Sequence, residues 1–316
     1  MEASLSLGIL KKNLINTAKC FSFYGLLLLS FQSSAFAEHH SLTKQIQKPA
    51  QKSPLTIATW NMQWFDTTPT EPQQQRSDGD IAVLKDYVSS LNADVIALQE
   101  VADLQSIYAL WPKSDYQAFI SPRQHAQRLA FVVKRSTGVA MSATIEPPLT
   151  ALDVQGHGQL RYGLILTLNL PNKTLRLLNV HLKAGCFSQK HRGRQCQTLS
   201  QQISYINTWA TLQPDSHVVL GDFNRQLKRA NDPLQHPLAR AKLNLVGHNN
   251  AKGCQLKHHK RNTLFSYPYF IDHILLSDDL LPKLVTNSFK HHSFNARDVM
   301  SYKLSDHCAL SLQLKP

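Results

Sequence analysis

Side chains that could do chemistry follow an apolar run in the second half of this sequence. The stretch Val219-Leu220-Gly221-Asp222-Phe223-Asn224 enters a glycine and then presents a carboxylate and an amide. Active-site residues collect at strand ends of this kind, where carboxylates and amides can hold a cation or orient water. Because Gly-Asp-x-Asn also forms ordinary Asx turns, the stretch alone leaves a turn and a reactive site both open.

Other segments repeat the same design. Each joins an apolar run to polar residues, and the segments are Ile57–Asn61, Val95–Glu100, Leu177–His181, Phe270–His273, and Asp306-His307 directly before Cys308–Leu314. Six such positions with only Asn, Asp, Glu and His as polar residues indicate one convergent site. For Glu100 a capping role, and for Asp306-His307 an ordinary turn, remain the alternatives.

Helices and strands must position these side chains. Ile81, Leu84, Val88 and Leu91 recur at helical spacing, and Gln195–Leu212 has a second apolar helical face. Strand-like runs occur at Asp94–Leu98, Leu129–Val133, Gly163–Leu170, Leu175–Val180, Ile271–Leu276 and Cys308–Leu314. Since no linker or internal repeat divides residues 54–316, we predict a single α/β domain there.

The first 37 residues have the features of a secretory signal peptide. Three lysines precede the apolar stretch Phe21–Leu29, and Ala35-Phe36-Ala37 provides the small residues of a cleavage site. The apolar stretch is short for a membrane span, although an uncleaved anchor is the alternative. We expect cleavage after Ala37, a flexible segment over residues 38–53, and a secreted or periplasmic protein without stable membrane insertion.

The chain is strongly basic. Its formal charge is +13, and removal of residues 1–37 takes away three lysines and Glu2, which leaves +11. A positive surface of this size favours polyanions, with nucleic acid first and anionic membrane or cell-wall polymers second. Charge alone does not choose between them.

Four cysteines remain after the expected cleavage: Cys186, Cys196, Cys254 and Cys308. An even number in an exported protein favours disulfides, and four cysteines allow three connectivities. Cys186 and Cys196 are ten positions apart in a polar loop and would close most easily, with a stabilisation of roughly 3 kcal/mol. Spacing does not decide whether Cys254 pairs with Cys308.

The motifs, taken together and in order, resemble those of the endonuclease/exonuclease/phosphatase superfamily, which includes deoxyribonuclease I. They are Thr59-Trp60-Asn61-Met62, Ile96-Ala97-Leu98-Gln99-Glu100-Val101, Asn179-Val180-His181-Leu182-Lys183, Gly221-Asp222-Phe223-Asn224, Ile271-Asp272-His273 and Ser305-Asp306-His307. The resemblance covers about residues 55 to 315. It implies a four-layer α/β sandwich with two central mixed sheets flanked by helices, and a metal-dependent site that cleaves phosphate esters.

Cleavage of a phosphate ester needs an activated water and positive charge near the phosphorus. Asn61, Glu100 and Asp306 offer hard oxygen ligands, which suit Mg²⁺, or Mn²⁺ or Ca²⁺, better than zinc. Asp222 would orient or deprotonate the water, with Asn224 holding phosphate or water beside it.

The histidines divide into different roles. His307 is the candidate acid, and Asp272 could fix its tautomer through the other ring nitrogen. Because His273 follows Asp272 directly, it points to the opposite face of a strand and is more easily explained as structural. By resemblance to deoxyribonuclease I, His181 would be a second active histidine and Arg161 a phosphate contact, although an exposed strand-edge arginine is the alternative.

One position departs from the deoxyribonuclease I pattern. The histidine that matches His181 is supported there by a carboxylate, and the aligned residue in this sequence is Gln127. An amide can orient an imidazole but cannot stabilise its charged form. We therefore expect His181 to donate a hydrogen bond to phosphate. Residues 182–196, with two cysteines, resemble exported bacterial members of the superfamily.

These observations predict an exported, monomeric, divalent-metal-dependent nuclease that acts on DNA. A phosphatase or a phospholipase C-like esterase of the same fold is the first alternative, and it predicts exposed apolar loops that the sequence lacks. The second is a non-catalytic nucleic-acid-binding module, which would normally have lost a ligand or a base. The sequence leaves open DNA against RNA and endo against exo cleavage.

Overall fold

The computed structural model describes residues 53–316, apart from residues 70, 72–73, 124, 137, 139–142, 172, 248–252 and 259. The expected signal peptide and residues 38–52 of the expected flexible segment therefore lie outside the described residues. Among the described helices, none is long and apolar enough to cross a membrane. The described chain belongs to one unit, Gln47–Pro316.

Short strands dominate the secondary structure of the described residues. The strands are β1 (Leu55–Phe65), β2 (Val95–Val101), β3 (Tyr116–Ile120), β4 (Arg128–Lys134), β5 (Ala143–Ile145), β6 (Leu164–Leu170), β7 (Lys173–His181), β8 (Ser216–Asp222), β9 (Leu243–Leu245), β10 (Gln255–Lys257), β11 (Leu264–Ser266), β12 (Asp272–Ser277), β13 (Lys290–His292) and β14 (Ala309–Leu314). The helices are α1 (Asp78–Leu91), α2 (Leu104–Leu110), α3 (Arg194–Thr211), α4 (Gln235–Arg240) and α5 (Ala296–Ser301).

Two six-stranded sheets organise the chain. The first has the strand order β13-β14-β1-β2-β4-β3, and the second has the order β5-β6-β7-β8-β12-β9. Each sheet contains one parallel pair, β1 with β2 and β7 with β8, and its other pairs are antiparallel. Strands β10 and β11 form a separate two-stranded ribbon.

The apolar core has three layers. Ile57 and Phe131 of the first sheet meet Leu177 and Ile274 of the second sheet in the central layer. The outer face of the first sheet packs against α1 and α2, and the outer face of the second packs against α3 and α4. This helix–sheet–sheet–helix order confirms the predicted four-layer α/β sandwich.

Helix α1 shows how local sequence sets the boundaries. Ser77 caps the helix by accepting a hydrogen bond from the Asp80 backbone, and the Asp80 side chain accepts one from Ser77 in return. This reciprocal pair satisfies two amides that would otherwise lack partners. The helix buries Leu84 and Val88 and ends at Leu91, and the C-cap residue Asn92 adopts the left-handed conformation.

The polar residues meet at one edge of the two sheets. β1, β2, β7 and β8 end at this edge, whereas β12 and β14 begin there. Asp272 and His273 lie at the start of β12, in agreement with the predicted strand Ile271–Leu276, and not at the end of a strand as in the Leu177–His181 segment. Since β12 runs antiparallel to β8, its first residue nevertheless lies beside the last residue of β8.

Two disulfides flank this edge. Cys186 pairs with Cys196, and Cys254 pairs with Cys308. The first closes the loop between β7 and α3. The second connects the segment before β10 to the residue before β14, which also follows His307 directly.

Candidate active site

Three site residues of the second sheet lie side by side. In the strand register His181 pairs with Asp222, and Asp222 pairs with Asp272. Directly opposed residues on neighbouring strands project to the same face of a sheet. All three residues are buried, and their shared face is turned toward the ends of β1 and β2, as the contacts below show.

The Gly221-Asp222-Phe223-Asn224 stretch folds around a close backbone approach. A Cβ atom on Gly221 would lie 2.0 Å from the carbonyl oxygen of Val180, and Gly221 has a φ of +138°. Only glycine fits there. The Asn224 backbone N–H then donates to Asp222 Oδ1 at 2.7 Å, and Asn224 Nδ2 donates to Asp222 Oδ2 at 3.2 Å. The Asx turn, which the sequence offered as one alternative, is therefore present. It places Asp222 and Asn224 beside each other in the site.

Asn61 joins the two sheets at the site. Its Nδ2 donates to Asp222 Oδ2 at 3.0 Å and to Glu100 Oε1 at 3.3 Å. Its Oδ1 accepts from the Gln63 backbone at 2.9 Å, so the amide nitrogen, and not the oxygen, faces the two acids. Glu100 also accepts from the Trp64 backbone at 3.1 Å.

Asp306 and His307 approach from the segment before β14. His307 Nδ1 lies 2.7 Å from Asp272 Oδ2, and His307 Nε2 lies 4.0 Å from Asp222 Oδ2. Asp306 is more open, because its side chain is 47% exposed, and its Oδ1 lies 3.8 Å from His307 Nε2. The Ser305 hydroxyl donates to the Asn61 carbonyl at 2.7 Å and accepts from the His307 backbone at 3.1 Å.

The charges of His307 and Asp222 depend on each other. Burial opposes a charged imidazole, but Asp272, Asp222 and Asp306 outweigh it and raise the pKa of His307 well above its ordinary value. Burial raises the pKa of Asp222 to about 7, while the neighbouring His307 acts in the opposite direction. A charged imidazole thus lies beside a carboxylate whose proton is easily exchanged near neutral pH.

His181 has a different environment. Its Nε2 lies 3.4 Å from Asp222 Oδ2 and 3.6 Å from Glu100 Oε1. Its Nδ1 is buried and has no hydrogen-bond partner among the described residues, so Gln127, which lines the same cleft, does not orient the ring. Burial, with help from Arg161, lowers the pKa of His181 well below its ordinary value. The ring is therefore neutral in the unbound site.

Arg161 lies inside the cleft rather than on an exposed strand edge. Its Nε donates to the His181 carbonyl at 3.2 Å, and one terminal nitrogen donates to the Leu182 carbonyl at 3.1 Å. Burial lowers the pKa of Arg161 to about 10, and the nearby Asp222 and Glu100 counteract that shift. The guanidinium remains charged at neutral pH and faces the same space as the acids.

The donor atoms of this site suit a hard divalent cation. Asp222, Asp272 and His307 each offer a ligand atom, and these atoms lie within 4.8 Å of one another. The sequence predicted the ligands Asn61, Glu100 and Asp306 instead. Of these, Glu100 and Asp306 line the cleft with carboxylate oxygens, whereas the Asn61 oxygen is occupied. Carboxylates dominate both sets, which favours Mg²⁺, Mn²⁺ or Ca²⁺ over softer metals.

A buried amide pair lies behind the site, and the sequence alone does not reveal its role. Gln99 Nε2 donates to Asn179 Oδ1 at 2.8 Å, and Asn179 Nδ2 donates to the carbonyls of Leu98 and Ala130 at 2.9 Å. This pair fixes β2 and β4 against β7, directly behind Glu100 and His181. An amide inside an otherwise apolar strand was the available signal, because buried polar groups need partners.

Two buried arginines hold the loops around the site. Arg225 forms an ion pair with Asp232 at 2.8 Å and donates to the Cys186 carbonyl at 2.9 Å, which connects the Asp222 loop to the first disulfide. Arg76 donates to the carbonyls of Met62, Gln63 and Leu304 at 2.9 to 3.0 Å. His273, as expected, is structural, since it is buried with Nε2 2.7 Å from the Arg225 carbonyl.

The site opens into a cleft of about 580 Å³. Catalytic candidates form its floor. Its walls include aromatic residues from the loop after β7 and from the segment before β12: Phe187, His191, Tyr267, Tyr269 and Phe270. This volume lies within the range of roughly 300 to 1,000 Å³ that is typical of ligand pockets, and it can hold part of a nucleotide chain.

A model of the Endonuclease/Exonuclease/phosphatase family matches residues 58–307, which include every candidate residue described above. The chain belongs to this family. Members of the family are hydrolases that act on phosphodiester bonds. None of the curated proteins matches the chain significantly.

Solved structures share the fold at low identity. A truncated Caenorhabditis elegans TDP2 is 18% identical with a TM-score of 0.56, and the match covers 83% of this chain and 98% of that one. D. rerio TDP2, in complex with a single strand DNA product, is 15% identical with a TM-score of 0.58, over 84% and 100% of the two chains. An AP endonuclease from Archaeoglobus fulgidus is 14% identical with a TM-score of 0.53, over 83% and 100%.

Proposed function

We propose that this protein is an exported, divalent-metal-dependent nuclease that hydrolyses phosphodiester bonds of DNA. The observation that supports it best is the position of Asp222. Its buried carboxylate accepts from Asn61 and Asn224 and lies between the Nε2 atoms of His181 and His307. A water molecule beside Asp222 would contact the carboxylate as a base and would lie close to both imidazole rings.

The proposed roles follow from protonation. Asp222, as a carboxylate, orients and deprotonates the attacking water. His307 holds a proton on Nε2 because Asp272 binds its Nδ1 at 2.7 Å, so it can donate that proton to the leaving oxygen. His181 is neutral and donates to a phosphate oxygen, and Asn224 lies beside the water.

Positive charge for the phosphate comes from two sources. Arg161 is held in the cleft by backbone carbonyls, and Asp222 and Glu100 line the same cleft. A divalent cation, for which we propose Mg²⁺ held by Glu100 and Asp306 with Asn61 beside them, would neutralise charge that develops on the phosphate. The carboxylate-rich donor set supports a hard cation.

Charge supports a polyanionic substrate. The chain has a formal charge of +13, or +11 without residues 1–37. Phosphate contacts provide most nonspecific affinity for nucleic acid. The D. rerio TDP2 structure, which shares the fold, has a single strand DNA product bound, and this also supports DNA.

Two features support export. The signal-peptide pattern of residues 1–37 is one, and the disulfides Cys186–Cys196 and Cys254–Cys308 are the other. Disulfides persist in secreted and periplasmic proteins and are rare in the cytosol. We propose that the mature protein acts there as a monomer.

A substrate panel tests the proposal. The mature protein is incubated with plasmid DNA, RNA and a generic phosphomonoester, each with Mg²⁺ and each with excess chelator. We expect hydrolysis of DNA that requires the cation. Hydrolysis of the phosphomonoester alone would favour a phosphatase, and undiminished turnover by metal-stripped protein in chelator would contradict the metal assignment.

A further inference from the structure

Two exposed aromatic rings line the cleft beside the proposed catalytic residues. Tyr267 is 54% exposed and Phe187 is 36% exposed, and both contribute to the cleft wall. The other large apolar side chains exposed in the described residues, such as Tyr205 and Tyr302, do not line it. Exposed aromatic rings inside a cleft leave flat apolar surface for a ligand.

Neighbouring rings hold both side chains in place. Tyr267 meets Phe265 edge to face, with ring centres 5.4 Å apart, and Phe187 meets His191 in the same way at 5.9 Å. Edge-to-face contacts restrict a ring without burying all of it. The two rings therefore remain available for a ligand in a restricted orientation.

The backbone that bears each ring is also fixed. Phe187 directly follows Cys186, whose disulfide closes the loop after β7. The Gly253 backbone N–H donates to the Tyr267 carbonyl at 2.8 Å, and Gly253 precedes Cys254, which is bonded to Cys308. Surfaces that are ordered before binding lose less entropy when the ligand arrives.

We infer that Phe187 and Tyr267 stack on unpaired bases on either side of the scissile phosphate, so that single-stranded nucleic acid is the preferred substrate. This inference rests on the proposed function. The flat apolar part of a nucleic acid is the base, and in a duplex its two faces are already stacked. Stacking on protein rings is accordingly typical of single-strand recognition.

Charge beside the rings fits a phosphate chain that continues from the cleft. Lys190 and Arg192 are exposed in the loop after β7, and Arg194 is exposed at the start of α3. Backbone phosphates on that side would meet these cations while a base contacts the ring. The size of the cleft, about 580 Å³, also suits one or two nucleotides better than a duplex.

The experiment compares wild type with Phe187→Ala, Tyr267→Ala and their combination. Substrates are a labelled DNA single strand, its duplex, and a strand of the same length with base-free sugars around a central phosphate. Tyr205→Ala is the matched control, because Tyr205 is exposed on α3 away from the cleft. Tyr267→Phe and Phe187→Tyr keep a ring at each position, and thermal melting checks that each variant folds.

We expect wild type to prefer the single strand over the duplex by at least about tenfold in kcat/KM. Each alanine variant should raise KM for the single strand about tenfold, roughly the effect of one lost base stack. The ring-keeping variants and Tyr205→Ala should resemble wild type. On the base-free strand, wild type and the alanine variants should be equal.

Three results would overturn the inference. The first is equal use of single strand and duplex by wild type. The second is that the folded alanine variants cleave single-stranded DNA with the same KM as Tyr205→Ala. That result would leave the proposed function intact. The third is the absence of any nucleic-acid cleavage by wild type, which removes the proposed function as well.

Discussion

The two sides of the cleft are built from matching parts but differ in chemistry. The β7 side consists of His181, Phe187 and the disulfide Cys186–Cys196. The β14 side consists of His307, Tyr267 and the disulfide Cys254–Cys308. Each side thus contributes one histidine, one exposed ring and one covalent bridge to the same floor, which contains Asp222.

The histidines differ in the charged groups around them, and Asp272 is the first of these. Both rings are largely buried and both have Nε2 near Asp222. Asp272 binds Nδ1 of His307 at 2.7 Å, whereas Nδ1 of His181 has no partner among the described residues. The pKa of His307 is therefore raised and that of His181 lowered. Burial opposes the charged form of both rings, and only at His307 do carboxylates outweigh it, so we assign proton donation to the β14 side.

The disulfides differ in what they hold. Cys308 directly follows His307, so its bridge fixes the backbone of the proposed acid. Cys186 lies five positions after His181 and fixes a loop wall instead. We therefore expect the second bridge to affect turnover and the first to affect substrate affinity.

The largest expected difference between the two sides is between the histidine variants. His307→Ala should lower kcat about 1,000-fold, because general acid catalysis contributes about 10² to 10⁴. His181→Ala should cost about tenfold to a hundredfold, since it removes one hydrogen bond to phosphate. Steady-state kinetics on DNA measures both. A larger loss for His181→Ala would reverse the assignment.

Removing the Asp272 carboxylate should lower the pKa of His307, as the pKa of His181 is lowered. Asp272→Asn keeps the shape of the side chain but removes the charge that raises the His307 pKa. His307 must be protonated to act, so its activity is lost as pH rises through its pKa, and a lower pKa moves that loss to lower pH. We expect about a tenfold loss of kcat at pH 8, where less of the general acid is protonated, and a smaller loss at pH 6.

A full pH profile of kcat for wild type and Asp272→Asn checks this expectation. His307→Ala is the control, because its profile should lack the high-pH limb altogether. An unchanged profile in Asp272→Asn, with the protein folded, would mean that Asp272 does not set the protonation of His307.

The double substitution Cys254→Ser and Cys308→Ser should reduce both stability and turnover. The bridge spans 54 positions, and a loop of that length contributes about 4 kcal/mol to the free energy of unfolding in the chain-entropy model. We expect kcat to fall about tenfold below the melting transition, because misplacement of a catalytic group has effects of roughly that size or more. Normal turnover in the folded variant would show that the β14 side is positioned without the bridge.

The corresponding substitution on the β7 side should have the smallest effect. Cys186→Ser with Cys196→Ser should raise KM about threefold and leave kcat unchanged, because the loop with Lys190 and Arg192 would bind phosphates less often. The free energy of unfolding should fall by about 3 kcal/mol for a loop of 10 positions. A loss of stability with unchanged KM would make this bridge a stability element only.

Much of this site could be predicted from the sequence, because short strands between polar residues leave a clear pattern. Helix α1 buries Leu84, Val88 and Leu91 of the predicted apolar face. Helix α3, Arg194–Thr211, lies within one residue of the predicted Gln195–Leu212, and β8 ends at Asp222. The arrangement of two sheets came from the family resemblance. Periodicity alone does not specify which strands become neighbours.

The region Arg225–Arg261 could not be predicted in detail. Its strands β9 and β10 are three residues long, and its helix α4 has six residues, which is too short for a periodic signal. The buried partners of Arg225 and Asn179 also depend on tertiary contacts. The orientation of the Asn61 amide, with its nitrogen toward the acids, follows from a local hydrogen bond to Gln63 that sequence spacing does not reveal.

The central claim is that Asp222 activates the water that cleaves the phosphodiester bond. The most direct measurement is single-turnover cleavage of a DNA single strand by wild type and Asp222→Asn, with equilibrium binding measured in parallel. We predict that Asp222→Asn binds within about threefold of wild type and cleaves at least about 1,000-fold more slowly. A cleavage rate within about tenfold of wild type would contradict the claim.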